Sequence, residues 1–217
     1  MWNEQIIAYC ERTDFSYWSE PVNAVTNLAF VIAALVVWPR TRGLVLARGM
    51  AVVLMAVGVG SFLWHTHATD WAGLMDVVFI LVFILLYLFA ATRDFLYAPG
   101  WLAALATVMF LPYAAGFSWA AGLVLPGLGA NAAYFSVAVL IAGYGVWLRN
   151  RPVGKGLLVG AGILCVSLGF RMADEAVCAA FPTGTHFMWH ILNAVMLGWM
   201  IHIYCRHVAD ARGTARR

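Results

Sequence analysis

The sequence predicts an all-α integral membrane protein with seven transmembrane helices in a single domain. Apolar residues make up 64% of the 217 residues and charged residues only 11%, whereas a soluble domain carries about 25% charged residues. Long apolar stretches recur along the chain, and basic residues cluster beside alternate ends of these stretches. A lipid bilayer accommodates this much apolar surface, which a single soluble core of this size cannot bury. The composition therefore argues against a soluble enzyme or a nucleic-acid-binding protein.

Seven apolar stretches define the predicted helices. Each is about 18–22 residues long, close to the roughly 20 residues that a helix needs to cross about 30 Å of hydrocarbon. Within lipid every backbone group must find a partner inside its own segment, so we predict helices. The fourth stretch is interrupted by Pro112 and Gly116. In chain order the predicted spans are residues 22–39, 43–64, 71–92, 98–116, 128–148, 153–173 and 184–205.

The segments that flank the spans are short. No charged or Ser-rich linker divides residues 1–217, so we predict one domain with an outer N-terminal segment (residues 1–21) and a cytoplasmic tail at 206–217. The N-terminal segment contains four acidic residues and no long apolar run, so we expect no cleavable signal peptide. These acidic residues are Glu4, Glu11, Asp14 and Glu20.

The basic residues predict the orientation of the chain. With the N-terminus outside, eleven of the thirteen basic residues fall on the inner side, and only Arg12 and Arg171 fall on the outer side. This asymmetry follows the positive-inside rule and predicts an outer N-terminus and a cytoplasmic C-terminus. The inner residues are Arg40, Arg42, Arg48, Arg93, Arg149, Arg151, Lys155, Arg206, Arg212, Arg216 and Arg217.

Two of the four cysteines fall on the predicted outer face. Cys10 lies in the N-terminal segment and Cys178 precedes the last span. The outer side of a membrane is oxidising, so we predict a disulfide between them, although two unrelated small residues are the alternative. Cys165 and Cys205 lie within or near the ends of spans and are predicted to be free thiols.

Three histidines on the outer side predict a zinc site. His186 and His190 are four residues apart at the start of the last span, which places both imidazoles on one helix face. His65 ends the second span and supplies a third ligand, and His67 is the competing candidate. Three protein nitrogens with one open position are typical of catalytic zinc. His202 and His207 lie on the inner side, and we assign them no role.

Asp76 lies inside the third span, where an isolated carboxylate is strongly disfavoured. Next to a metal, Asp76 can serve as the general base that takes a proton from the metal-bound water. Ser61 lies one turn before His65 and can hydrogen-bond the same water or an oxyanion. The alternative is a buried ion pair between Asp76 and Arg171. We expect Asp174 and Glu175 to form an internal ion pair with the same arginine.

Oxygen-bearing side chains near the N-terminus form a second group. Glu20, Asn23 and Asn27 share one face of the first span. Together with Glu11 and Asp14 they supply the oxygen ligands that calcium prefers. For the two asparagines, ordinary polar contacts between helices are the favoured alternative.

Three motifs together resemble the alkaline ceramidases, within the seven-helix membrane hydrolases that include the adiponectin receptors. They are GSFLWH followed eleven residues later by Asp76, HFMWHIL in the last span, and YCERTDFSYWSEPVNAVTN at the start. The resemblance extends over the whole chain. It implies that His65, His186 and His190 bind zinc, that Asp76 and Ser61 are active-site residues, and that Cys10 and Cys178 form a disulfide. The implied reaction is hydrolysis of the ceramide amide to a sphingoid base and a fatty acid.

The chain departs from the eukaryotic members of that family at the calcium site. Those enzymes have an Asp-Trp-Cys-Glu stretch where this chain has Ala8-Tyr9-Cys10-Glu11. The first acidic ligand is therefore absent, and Asp14 is the residue that can compensate. The N-terminal stretch is more similar to bacterial members, which implies a bacterial inner membrane with the site toward the periplasm. The implied substrate is ceramide or another N-acyl lipid.

Two other function classes compete with a hydrolase. The first is a seven-helix receptor or lipid-binding protein with a structural zinc and little turnover. The second is a transporter in which Asp76 and the histidines relay protons, but these residues cluster at one end of the spans instead of crossing the membrane. A retinal pump is excluded, because Lys155 is the sole lysine and lies at an inner helix end.

Overall fold

The structure is a computed structural model that describes residues 2–214. Arg216 and Arg217, which the orientation argument places on the inner side, lie outside the described residues. Within residues 2–214 the regular structure is helical, apart from an isolated β-bridge between Gln5 and Thr69. The helices are α1 (Pro21–Thr26), α2 (Leu28–Val37), α3 (Val45–His67), α4 (Asp70–Phe95), α5 (Gly100–Val124), α6 (Asn131–Trp147), α7 (Pro152–Val177) and α8 (His186–Thr214), with 3₁₀ turns at Trp38–Thr41 and Pro126–Leu128.

Six helical segments of the described chain are long and apolar enough to cross a membrane. These are Pro21–Thr41, which joins α1 and α2, together with α3, α4, α5, α7 and α8. Helix α6 is also apolar but has only 17 residues, which corresponds to about 26 Å at 1.5 Å per residue. The predicted class, an all-α multi-pass membrane protein, is confirmed, and each of the seven predicted stretches is helical.

The largest differences from the predicted spans occur in the fourth, first and last helices. Helix α5 continues past Pro112 and Gly116 to Val124, so the predicted end at residue 116 is wrong. Membrane helices tolerate an internal proline because neighbouring groups re-satisfy the backbone. The first span is broken at Asn27 into α1 and α2. Helix α8 reaches Thr214, so most of the predicted tail at 206–217 continues the last helix.

The order of packing brings three helix ends together. Helices adjacent in the chain pack side by side, and α8 additionally packs on α2 and α3. The apolar part of α8 is the most buried of the candidate spans, whereas that of α5 is the least buried. Helix α1 contacts both α3 and α8. The end of α3, the start of α8 and the start of α1 therefore converge at one end of the bundle.

Gly60 sets the distance between α3 and α4 near this convergence. A Cβ at Gly60 would lie 2.7 Å from the carbonyl oxygen of Met75 and 2.8 Å from a ring carbon of Phe79. The backbones of the two helices approach closely here because glycine has no side chain. The close approach brings the residues that follow each contact, Ser61 and Asp76, toward each other.

We predict that Gly60→Ala destabilises the protein by about 1–3 kcal/mol, because the added methyl group overpacks the α3–α4 interface. Gly162→Ala in α7 is the matched control, since nothing lies within 4 Å of a Cβ at that position. The control should be neutral or stabilising by up to about 1 kcal/mol. Thermal unfolding of both variants in detergent tests this, and equal midpoints for the two variants would contradict it.

Candidate metal and catalytic site

Three histidines meet where the end of α3 faces the start of α8. His65 lies in the last turn of α3, and His186 and His190 lie in the first two turns of α8. Their exposed fractions are 1%, 2% and 1%. The ring centroids are 5.2 Å apart for His65 and His186 and 4.7 Å apart for the other two pairs. One nitrogen from each ring lies within 4.8 Å of the others.

The nitrogens at the centre of this triad lack hydrogen-bond partners within the described residues. They are Nε2 of His65, Nε2 of His190 and Nδ1 of His186, and all three are buried. Buried polar atoms are nearly always hydrogen-bonded, so three such atoms in one place require an explanation. A group of neutral imidazoles with space for a further ligand is the donor set of catalytic zinc. The triad is also the one group of metal-ligand type found within residues 2–214.

The opposite nitrogens of two rings are held by oxygen atoms of the N-terminal region. Nδ1 of His65 lies 2.6 Å from Oε2 of Glu20, and Nδ1 of His190 lies 2.9 Å from Oγ1 of Thr26. An ionised carboxylate can only accept, so His65 donates. The Thr26 hydroxyl already donates its proton toward the carbonyl oxygens of Val22 and Asn23. It therefore accepts a hydrogen bond from Nδ1–H of His190. When these rings are neutral, a protonated Nδ1 leaves the lone pair on Nε2, the nitrogen that belongs to the triad.

His186 is held by its ring face and its backbone. The Tyr9 ring stacks on the His186 ring with centroids 3.7 Å apart and an interplanar angle of 20°. The His186 N–H donates to Oδ1 of Asp174 at 2.9 Å. Tyr9 belongs to the N-terminal segment, so this segment covers the triad from the end of the bundle. Tyr9 begins the N-terminal motif, but no pattern in the sequence indicated that its ring contacts a histidine.

Asp174 has a different role from the predicted ion pair with Arg171, and that prediction is wrong. Its carboxylate accepts backbone N–H groups from Cys10 at 3.0 Å, Thr185 at 2.7 Å and His186 at 2.9 Å. Arg171 instead bonds the Asn131 side chain and lies over aromatic rings of α6 and α8. Asp174 thus joins α7, the N-terminal segment and the start of α8 through one carboxylate.

The predicted disulfide between Cys10 and Cys178 is present beside Asp174. Gly184 packs here with a φ of +62°, and a Cβ at this position would clash with Asp174 and lie 2.7 Å from the Cβ of Cys10. Glycine is therefore required by both conformation and space. Cys165 and Cys205 are free, as predicted.

Ser61 and Asp76 face each other across the α3–α4 interface. The Ser61 hydroxyl donates a hydrogen bond to the Asp76 carboxylate. Asp76 is also attracted electrostatically by His65 and Arg171, but no ion pair within residues 2–214 joins it to Arg171. Among the described residues Asp76 therefore bonds Ser61 and does not form the ion pair with Arg171 that was the alternative.

The other histidines lie away from the triad. His67 packs edge-on against Tyr17 and lies near Trp71, so His65 rather than His67 belongs to the group. His207 bonds the carbonyl oxygen of Asp94, and His202 lies against Trp199, at the opposite end of the bundle.

The three carboxylates proposed for calcium do not gather into one group of ligands. Glu11 accepts the backbone N–H groups of Val22 and Asn23 at 2.7 and 2.8 Å, and burial raises its pKa although these donors oppose the shift. Asp14 is exposed and bonds Ser16, which lowers its pKa. Burial opposes the charged form of Glu20, but hydrogen bonds from His65 and Arg12 outweigh it and hold the pKa of Glu20 below its ordinary value.

An apolar cavity lies between α4, α6, α7 and α8, with Phe30 of α2 and Val57 of α3 also lining it. Trp189 and Asn193 line the end near His190, and Ala91 and Met200 line the far end. From Ile80 to Ala91 the cavity follows α4 for about 16 Å, at 1.5 Å per residue. Its surface is almost entirely apolar. An apolar lining of this kind suits an apolar ligand.

No protein-family model and no curated protein matches this sequence.

We predict that Glu20→Gln weakens zinc binding by about 10–100-fold, because the variant loses the carboxylate that orients His65. Competition with a chromogenic chelator on purified protein measures this change. Asp14→Asn is the matched control, since Asp14 is an exposed carboxylate of the same segment. An unchanged zinc affinity in Glu20→Gln would rule out this role for Glu20.

Proposed function

We propose that this chain is a zinc-dependent membrane hydrolase that cleaves the amide bond of ceramide or a related N-acyl lipid. The observation that carries the proposal is the triad of buried histidines, whose ligand nitrogens lie within 4.8 Å of one another and include three without hydrogen-bond partners. Asp76 and Ser61 on the adjacent helices supply the groups that a hydrolase needs beside its metal. The motifs shared with the alkaline ceramidases lead to the same reaction.

The proposal includes a sidedness for the site. We propose that all seven apolar helices cross the membrane, with the N-terminus and the triad on the periplasmic side of a bacterial inner membrane. The disulfide at the triad end supports this, because such bonds persist in oxidising compartments. The basic residues at the other end of the helices support it as well.

The cavity supports a lipid substrate. Because its wall is apolar along about 16 Å of α4, it suits the acyl chain of a membrane lipid better than a soluble amide. Asn193, one turn after His190, is among the residues that line the cavity at the end near that histidine. An amide group at this end would lie beside the triad while its acyl chain occupies the cavity.

The protein's own residues have distinct tasks in this reaction. His65, His186 and His190 would hold zinc, which supplies Lewis acidity to polarise the amide carbonyl and to acidify a water. Asp76 accepts the proton of the attacking water and then delivers it to the leaving amine. Ser61 orients the Asp76 carboxylate through a hydrogen bond, and its hydroxyl is the protein donor we assign to the oxyanion. Glu20 and Thr26 keep their histidines in the ligating tautomer.

Calcium is not part of this proposal. Its binding by Glu11, Asp14 and Glu20 remains a prediction from the sequence, and the carboxylate contacts described above give it no support.

We predict that Asp76→Asn lowers the rate of amide hydrolysis by about 10²–10⁴-fold, because the variant lacks the general base, while its zinc content is unchanged. Release of fatty acid from ceramide and from other N-acyl amine lipids, measured by mass spectrometry, gives the rate. Glu175→Gln is the control, since Glu175 is an exposed carboxylate at the same end of the bundle.

Two outcomes would count against the proposal. A native rate in Asp76→Asn would exclude Asp76 as the base. No fatty acid from any of these lipids with zinc-loaded native protein would overturn the hydrolase and favour a receptor or lipid-binding protein.

A further inference from the structure

A buried cation lies directly behind the triad. The Arg12 side chain has no exposed surface, and its Nε donates to Oε1 of Glu20 at 2.6 Å. Its Nη1 donates to the carbonyl oxygens of Asp14 and Ser16, both at 3.2 Å. Its Nη2 donates to the carbonyl oxygen of His65 at 2.9 Å. One guanidinium therefore binds four oxygen atoms from three parts of the chain.

These four oxygens are the ligand types that a hard cation such as calcium takes from a protein. One is a carboxylate oxygen and three are backbone carbonyl oxygens. Two of the residues, Asp14 and Glu20, belong to the set that the sequence predicts for calcium. In the structure Asp14 turns its backbone rather than its carboxylate toward this point, and the centre is filled by Arg12.

We propose that the Arg12 guanidinium is a built-in cation that takes the place of a bound calcium ion, so that His65 is positioned without any added cation. The proposal deepens the proposed function, on which it rests for the role of His65 as a zinc ligand. Arg12 acts as a positioning residue, because it contacts Glu20 and the His65 backbone and not the triad nitrogens.

The two carboxylate oxygens of Glu20 connect the Arg12 guanidinium to the His65 ring. Oε1 accepts from Arg12 and Oε2 accepts from His65. The side chains of Arg12 and Glu20 are 0% and 3% exposed, so neither charge has water to replace its partner, and removal of one leaves the other uncompensated. Without Arg12 the Glu20 carboxylate would lose the contact that sets its orientation toward the His65 ring.

Arg12 also excludes a second cation from the same place. A divalent ion at the Glu20 carboxylate would lie within a few ångströms of the guanidinium, and two like charges at such a distance repel strongly in a buried site. The chain is therefore expected to be independent of calcium in its native form. Removal of the guanidinium would leave four oxygens that face one another around a vacated position.

The experiment compares native protein, Arg12→Ala and Arg12→Lys by zinc affinity and by thermal unfolding, each with millimolar calcium or with a calcium chelator. Native protein should show the same midpoint and the same zinc affinity in both conditions. Arg12→Ala should bind zinc about 10–100-fold more weakly, and low millimolar guanidinium or calcium should restore part of the loss. Arg12→Lys should be intermediate, because an ammonium keeps the charge but cannot bond four oxygens in a fork. Arg206→Ala, an exposed arginine at the other end, is the control.

Two results would overturn the proposal. One is a calcium-dependent shift in the midpoint or the zinc affinity of native protein, and the other is native zinc affinity in Arg12→Ala. If Arg12→Ala fails to fold, the calcium titration of native protein and the zinc affinity of Arg12→Lys still test the proposal. The readouts are independent of lipid hydrolysis, so a protein that binds zinc but releases no fatty acid overturns the proposed function alone. If native protein binds no zinc, the effects of calcium and guanidinium on the thermal unfolding midpoints of native protein and Arg12→Ala still test whether Arg12 replaces a bound cation.

Discussion

Burial of three imidazoles whose unpartnered nitrogens face one another is the interaction on which this end of the protein depends. Isolated buried nitrogens of this kind are unfavourable, because each loses its hydrogen bond to water. The surrounding contacts nevertheless maintain them: Glu20 and Thr26 hold two rings through Nδ1, and Tyr9 stacks on the third. The site is thus supported by an outer layer of contacts that fixes the tautomers and leaves the inner nitrogens for a metal.

That outer layer comes mostly from the N-terminal segment, which explains why a polar stretch of twenty residues is so firmly attached to a membrane bundle. The disulfide joins Cys10 to the end of α7, and Asp174 bonds the backbone of the same cysteine. Arg12 joins the segment to the end of α3. Glu11 caps the start of α1. The segment therefore acts as a cover whose position determines the geometry of the triad.

The sequence predicted the parts of this arrangement that depend on helix periodicity and composition. The apolar stretches, the i, i+4 histidines and the two outer cysteines are patterns within a helix or a side of the membrane, and the structure contains the helices and the disulfide. The ends of α5 and α8 were placed too early, because Pro112 does not end α5 and the basic residues after Cys205 do not end α8.

Other contacts were missed because they join distant residues through the backbone. Asp174 looked like a local ion-pair partner of Arg171, yet its partners include the N–H of Cys10, 164 residues away. Nothing in the sequence marks a backbone N–H as an unusual partner. Thr26 and Tyr9 are common residue types, and only the tertiary structure brings them to the triad. Glu20 was noticed for its charge but assigned to calcium, because its pairing with Arg12 and His65 is invisible in sequence spacing.

The measurement that tests this account most directly is the metal content of the purified protein, determined by elemental mass spectrometry. The account predicts about one zinc ion per chain in native protein, and loss of that zinc in the double variant His186→Ala, His190→Ala. Native protein prepared without chelator that contains no zinc, or a double variant that retains it, would contradict the claim that the buried triad is a zinc site.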